Sequence, residues 1–171
     1  GIKAMSWNPL VKQQDISAFE QYSQIHVDPN FKIKGAPLLP TDPIIVVQFI
    51  EPLIPNKAAQ GFNVFSNEVR KRTMLQAKET RIATATDSIQ LVQSTQQESG
   101  FLIFSPVFKN YNHAEGSLGG FQSLSGFAVG AFVISDIIEL SLKENSAHAL
   151  DIYIYENSNV EDAVYGNSNI M

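Results

Sequence analysis

Few side chains in this sequence suit covalent or acid–base chemistry. His26, His113 and His148 stand apart from one another, in loop-like segments or at element ends, and there is no cysteine. The serines fall mostly in polar clusters. Gly116-Ser117-Leu118-Gly119 fails the nucleophile-elbow pattern by spacing, and Gly119-Gly120-Phe121-Gln122-Ser123 lacks the elbow, so no serine combines a sharp strand-to-helix turn with a partnered base. No two histidines lie at helical spacing and no Asp-x-Asp-x-Asp-Gly loop occurs, which leaves no metal-ligand pattern. Gly119-Gly120 precedes a strand and does not open a helix, so it makes no phosphate cradle. Catalytic residues, a metal and a cofactor are accordingly not expected. The foremost candidate for recognition is Asn63, which follows Gly61-Phe62 and the polar Asn56-Lys57 turn and precedes a helix. Its amide offers one acceptor and two donors. The same amide is equally suited to capping or turning the backbone, and both roles are open.

The elements that would hold these residues follow from pattern. Asn8-Pro9 has the form of a helix start, with Asn8 as cap and Pro9 at the first helical position, and predicts a helix to about Gln24 with Ile16, Phe19 and Ser23 on one face. Residues 27–43, with Pro29, Gly35, Pro37, Pro40 and Pro43, read as an irregular connection. The β-branched run Ile44 to Ile50, stopped by Glu51-Pro52, predicts a central strand covered on both faces. From Ser66 to Glu79 the period turns helical, with Val69, Thr73 and Ala77 at four-residue steps. Strands are expected over 88–93, 100–108 and 126–134, with a surface loop at 109–125 between the last two. Asp136 and Glu139 have capping-box spacing for a helix over 137–145. Leu150 to Tyr155 alternates as a strand, and Asn157 to Asn169 reads as a polar tail. The order suits an α+β fold on an antiparallel sheet.

Bulk properties narrow the function classes. A chain of 171 residues is about one domain and long enough for a sizeable core, and 44% apolar with 17% charged residues is an ordinary globular composition. The net charge of -5 argues against nucleic acid, which needs clustered cations. Arg70-Lys71-Arg72 is the one basic cluster, and a solvated helix face accounts for it. Lack of cysteine leaves the compartment open. The longest apolar run, 126–134, falls far short of the roughly 20 residues of a membrane helix, and the N-terminus lacks the apolar core of a signal peptide.

The segments Phe-Ile-Glu-Pro (49–52), Asn56, Gly-Phe-Asn (61–63), the Arg-rich helix, Ala-Lys-Glu-Thr (77–80), Ile-Gln-Leu-Val-Gln (89–93) and Gly-Phe-Leu-Ile-Phe-Ser-Pro-Val-Phe (100–108) occur in an order and at a spacing that resemble the CHASE domain. Ser-Trp-Asn-Pro-Leu-Val (6–11), Phe19-Glu20 and Phe31-Lys32-Ile33 resemble that family's entry segment, and 126–134 and 152–155 its closing strands. The resemblance covers nearly the whole chain.

It implies an extracytoplasmic or periplasmic ligand sensor of an inner-membrane or plasma-membrane receptor, with a membrane helix on each side that this chain omits. The output domain would be cytoplasmic, a histidine kinase or a diguanylate cyclase. It implies two PAS-like halves with an N-terminal helix: a membrane-distal, ligand-binding half over about 44–134, and a membrane-proximal half from about 135–171 plus N-terminal chain. A homodimer in the full receptor is implied as well, the membrane being touched only through the omitted helices, and a dimerisation module without ligand is the alternative. In plant cytokinin receptors an acidic residue at the position of Asn63 holds the ligand's adenine. Asparagine lacks that charge, but it can pair with an adenine edge or another small polar heterocycle. Ala85, flanked by Ala83 and Thr86, matches the place where the family presents backbone groups to ligand. Phe62, Leu91, Phe101, Ile103, Phe104, Phe127 and Gly130 would form the walls and floor, with core packing as the default for each, and Tyr111 could close the mouth. Gly130 in a strand interior calls for a close approach by ligand or by a crossing side chain. The family has Thr-Gly where this chain has Thr80-Arg81, so the easy left-handed helix cap is lost.

Overall fold

A computed structural model of the chain describes residues 1–90, 99–110, 122–143, 152–155 and 163–167. Among these residues the fold is α+β. A seven-stranded antiparallel sheet has the order β2-β1-β7-β6-β4, with β3 also on β1 and β5 also on β6, and β8 and β9 form a separate two-stranded sheet. The strands are β1 (Ile2–Val11), β2 (Ile44–Ile45), β3 (Phe49–Glu51), β4 (Thr84–Ala85), β5 (Ile89–Gln90), β6 (Ser99–Asn110), β7 (Gln122–Val133), β8 (Ile152–Tyr155) and β9 (Ala163–Asn167). The helices are α1 (Ile16–His26), α2 (Leu53–Asn56), α3 (Glu68–Thr80) and α4 (Ile134–Lys143).

The N-terminal expectation is corrected. Asn8 and Pro9 lie inside strand β1, and the helix begins only at Ile16. An N-cap contributes about 1 kcal/mol, whereas β1 gains three neighbours: β7 along one side, from Ile2↔Phe132 to Pro9↔Gly126, and β2 and β3 on the other. That pairing outweighs the local signal. The expected helix face is nevertheless used, because Ile16 and Phe19 pack on the small core of Val11, Phe31, Ile44 and Val46, and buried Ser23 meets Gln48 at 3.2 Å.

The run 44–50 divides into β2 and β3. Between them the chain bonds on both sides. Val46 and Gln48 donate to the Pro9 and Trp7 carbonyls, and Val47 exchanges bonds with Phe62 and Gly61. Helix α3 matches its period, burying Thr73, Met74 and Ala77 against the larger core around Ile45, Val64, Phe65, Phe104 and Phe127. It ends in the left-handed way after all, with Arg81 itself at φ 61° and its guanidinium 4.9 Å from the Phe108 ring. Strands β6 and β7 run well into the 109–125 segment read as loop. Helix α4 starts at Ile134, so Asp136 sits in its first turn and is not its cap. The polar tail contains β9, which pairs with β8.

One contact fixes how closely β7 approaches β1. A Cβ on Gly126 would overlap the Asn8 carbonyl oxygen and stand 2.7 Å from Pro9 Cα, both backbone atoms with no freedom to yield. Gly126→Ala is therefore expected to destabilise the domain by about 3 kcal/mol, at the upper end of the usual overpacking range, with the loss read as a lowered urea midpoint. An unchanged midpoint would show that the two strands separate at no cost.

Candidate functional site

Alternation along β1 points Ala4, Ser6 and Asn8 to one face of the sheet. Their partners on β7 are Ala131, Val129 and Phe127. Small residues at two of these positions, Ala4 and Ala131, leave the sheet thinly covered there, beneath the segment that leads into α3. The result is a cavity of about 370 Å³, within the ordinary range for small-molecule sites. The sheet side consists of Ala4, Ser6, Asn8, Leu102, Val129 and Ala131, with Lys3 beside the pairing shift between Ile2 and Ala4. Val47, Ile50, Asn56, Ala58, Ala59, Phe62, Val64, Ser66, Asn67 and Arg70 complete it.

Most polar groups in this lining are already engaged. The Asn56 amide donates to the Pro52 carbonyl at 2.7 Å. Ser66 Oγ donates to the Asn63 carbonyl at 2.6 Å. Asn67 Oδ1 caps α3 by accepting from the Arg70 N–H at 3.1 Å. Asn8 is different: it is 1% exposed, and among the described residues neither its Oδ1 nor its Nδ2 has a hydrogen-bond partner. A buried amide in that state costs about 1–3 kcal/mol per unsatisfied group.

Arg70 is the second distinctive group. Its guanidinium carbon stands 5.8 Å from the Phe62 ring centroid, and burial pushes its pKa below the usual arginine value. The basic cluster is thus not simply a solvated face. Lys71 is half-buried and bonded to Asp42 at 2.7 Å, Arg70 lines the cavity, and Arg72 is the exposed member, paired with Asp87.

The residues expected to bind ligand are dispersed. Phe62 lines the cavity. Asn63 lies outside the lining and is completely buried; its Oδ1 accepts from the Ile45 and Phe65 N–H groups at 3.1 Å, and its Nδ2 donates to the Gly35 carbonyl at 3.4 Å. Gly61, in the same motif, holds φ 80° where a Cβ would overlap the Lys32 carbonyl, so Gly-Phe-Asn ties the 32–35 segment to the sheet. Ala85 is an exposed residue of β4. Thr86 is buried and extends the sheet edge, exchanging bonds with Leu102 through its own N–H and Oγ1. Phe101 stacks on Phe132 at 5.2 Å. Phe104 and Phe127 meet edge-to-face at 5.9 Å in the core. The close approach to Gly130 comes from the Phe132 ring, 2.8 Å from where a Cβ would be. Leu91 and Tyr111 lie outside the described residues. Sequence reasoning missed Asn8 and Arg70. The Ala4-Ser6-Asn8 alternation of small and polar residues was the available signal, hidden by the helix-start reading of Asn8-Pro9.

Asn63→Ala is expected to cost about 2–3 kcal/mol, because it strands two buried backbone donors and removes a cap. Thermal melting of the variant measures this, and a loss below about 0.5 kcal/mol would contradict the bonding described.

A search of proteins of curated function finds no significant match to this sequence. The family model for the CHASE domain matches residues 1–165. With a match over nearly its entire length, the chain belongs to the CHASE domain family, the extracytoplasmic sensor modules of receptors.

Proposed function

We propose that this domain is the ligand-sensing part of a transmembrane receptor and that the cavity between β1, β7 and β6 and the 56–70 segment receives a small molecule. The observation that carries this reading is Asn8, a wholly buried amide with both polar atoms unpaired among the described residues, in the lining of a partly open cavity. Native proteins pair almost all such groups, and a ligand with one donor and one acceptor would complete it once the amide, whose polar atoms are covered in this structure, turns toward the cavity. The mostly aliphatic walls suit an apolar body.

The seven-stranded sheet with its α3 is the membrane-distal, ligand-binding half in this reading, which takes in β1 where the resemblance assigns N-terminal chain to the other half, and the chain from α4 onward is the membrane-proximal half. A bound molecule bridges β1 to the 56–70 segment, and so biases one arrangement of the N-terminal strand over another. A tenfold preference for one arrangement is worth about 1.4 kcal/mol. Flanking membrane helices would carry that bias to a cytoplasmic histidine kinase or cyclase domain. No bond is made or broken on this chain. A second reading, a dimerisation module, draws support from Ile2, Met5 and Phe49, exposed on the sheet, Met5 by alternation on the side away from Asn8.

A thermal-shift screen of adenine derivatives, amino acids and small carboxylates separates the two. A ligand at about 100 times its Kd contributes about 2.7 kcal/mol, or about 5–10 °C in a domain this size. Asn8→Leu, close to isosteric, is expected to melt at or above the parent temperature and to lose that shift. Ala131→Leu is expected to fill the space and lose the shift too. A screen in which nothing stabilises the parent protein, with both variants dimerising as before, would favour the interaction module instead.

A further inference from the structure

The three successive cations at the start of α3 are treated differently by the fold. Lys71 and Arg72 each face a carboxylate, Asp42 and Asp87. Among the described residues no carboxylate lies within ion-pair distance of Arg70, although it is the one of the three that lines the cavity. Both charged residues in the lining, Lys3 and Arg70, are cationic, and no Asp or Glu joins them among the described residues. The lowered pKa of Arg70 has burial as its cause, which is the behaviour of a cation desolvated without a counter-charge. The first turn of α3 also borders the space through Asn67 and Arg70, so the positive end of the helix dipole adds to the same field.

A partly buried guanidinium without a counterion is unfavourable in the empty protein. Its fork of donors matches a carboxylate in two parallel bonds, and the Phe62 face beside it holds the guanidinium plane without neutralising it. The volume is about two and a half times that of an apolar cavity of about 150 Å³ that admits benzene, so there is room for one ring or branched chain together with an acid group.

We infer that the ligand is a small monocarboxylate with an aromatic or branched aliphatic body, its carboxylate paired with Arg70 and a further polar group bonded to Asn8. The inference rests on the sensor reading of the cavity and adds the charge of what enters it. A single unpaired guanidinium answers one negative charge. Aliphatic walls at Val47, Val64, Leu102 and Val129 would face the apolar body.

Calorimetric titration of the 171-residue chain with phenylacetate, 3-phenylpropionate and indole-3-acetate, each beside its neutral amide, tests the charge. At least one acid is expected to bind about 10- to 100-fold more tightly than its amide, the worth of a charge-assisted pair. In Arg70→Gln that preference is expected to vanish while the amide's affinity stays within about threefold, and the unliganded variant is expected to melt no lower than the parent. Equal affinity for acid and amide in the parent protein overturns the anion inference, as does a preference that survives Arg70→Gln. If the amides or adenine derivatives bind through Asn8 with no acid preference, the sensor reading stands and the anion inference falls. If no compound of either series binds the parent protein, both fall.

Discussion

Strand β1 reaches the interior of the main sheet because Gly126 presents no side chain where Asn8 and Pro9 press against β7. Everything that distinguishes the candidate site depends on this ladder. It sets Ala4, Ser6 and Asn8 opposite Ala131, Val129 and Phe127, so small residues of two strands coincide and a space opens above them. On its other edge β1 receives Val46 and Gln48, which anchors the segment carrying Val47 and Ile50 into the same lining. Were β7 forced to stand off, the sheet floor and the orientation of Asn8 would be lost together.

The domain divides polar work into two kinds. At Asn63, Ser66, Asn67 and Thr86, side chains complete the backbone bonding of loops and helix ends, and each removes an unsatisfied donor or acceptor from the interior. Among the described residues, Asn8 is a buried amide without partners and Arg70 a partly buried cation with no carboxylate in ion-pair distance. Both lower the stability of the empty protein. Their coincidence in one cavity is what makes that cavity the candidate site.

Much of the scaffold was legible because its signals were local. Helix α3 follows from the spacing of Val69, Thr73 and Ala77, and β6, β7 and β8 follow from apolar or alternating runs. Errors arose where a local preference met a stronger distant partner. Asn8-Pro9 reads as a helix start until β7 is present to pair with it and Val46 to bond the Pro9 carbonyl. The 163–167 segment reads as polar tail until β8 lies beside it. Arg81 shows the reverse case, a residue with no special aptitude for a left-handed cap adopting it at φ 61°. Its ring contact with Phe108 is a gain that no local rule contains.

By itself the sequence determined the family, the α+β class and the absence of recognisable catalytic and metal-binding patterns, since ordered motifs and residue inventories do not require knowing what touches what. Only the tertiary structure decided that the Gly-Phe-Asn motif ties loops to the sheet while Asn8 and Arg70 border the cavity. The reason is physical: whether an amide or a guanidinium is satisfied depends on atoms distant in sequence. Asn63 met Ile45, Phe65 and Gly35, whereas Asn8 met no partner among the described residues.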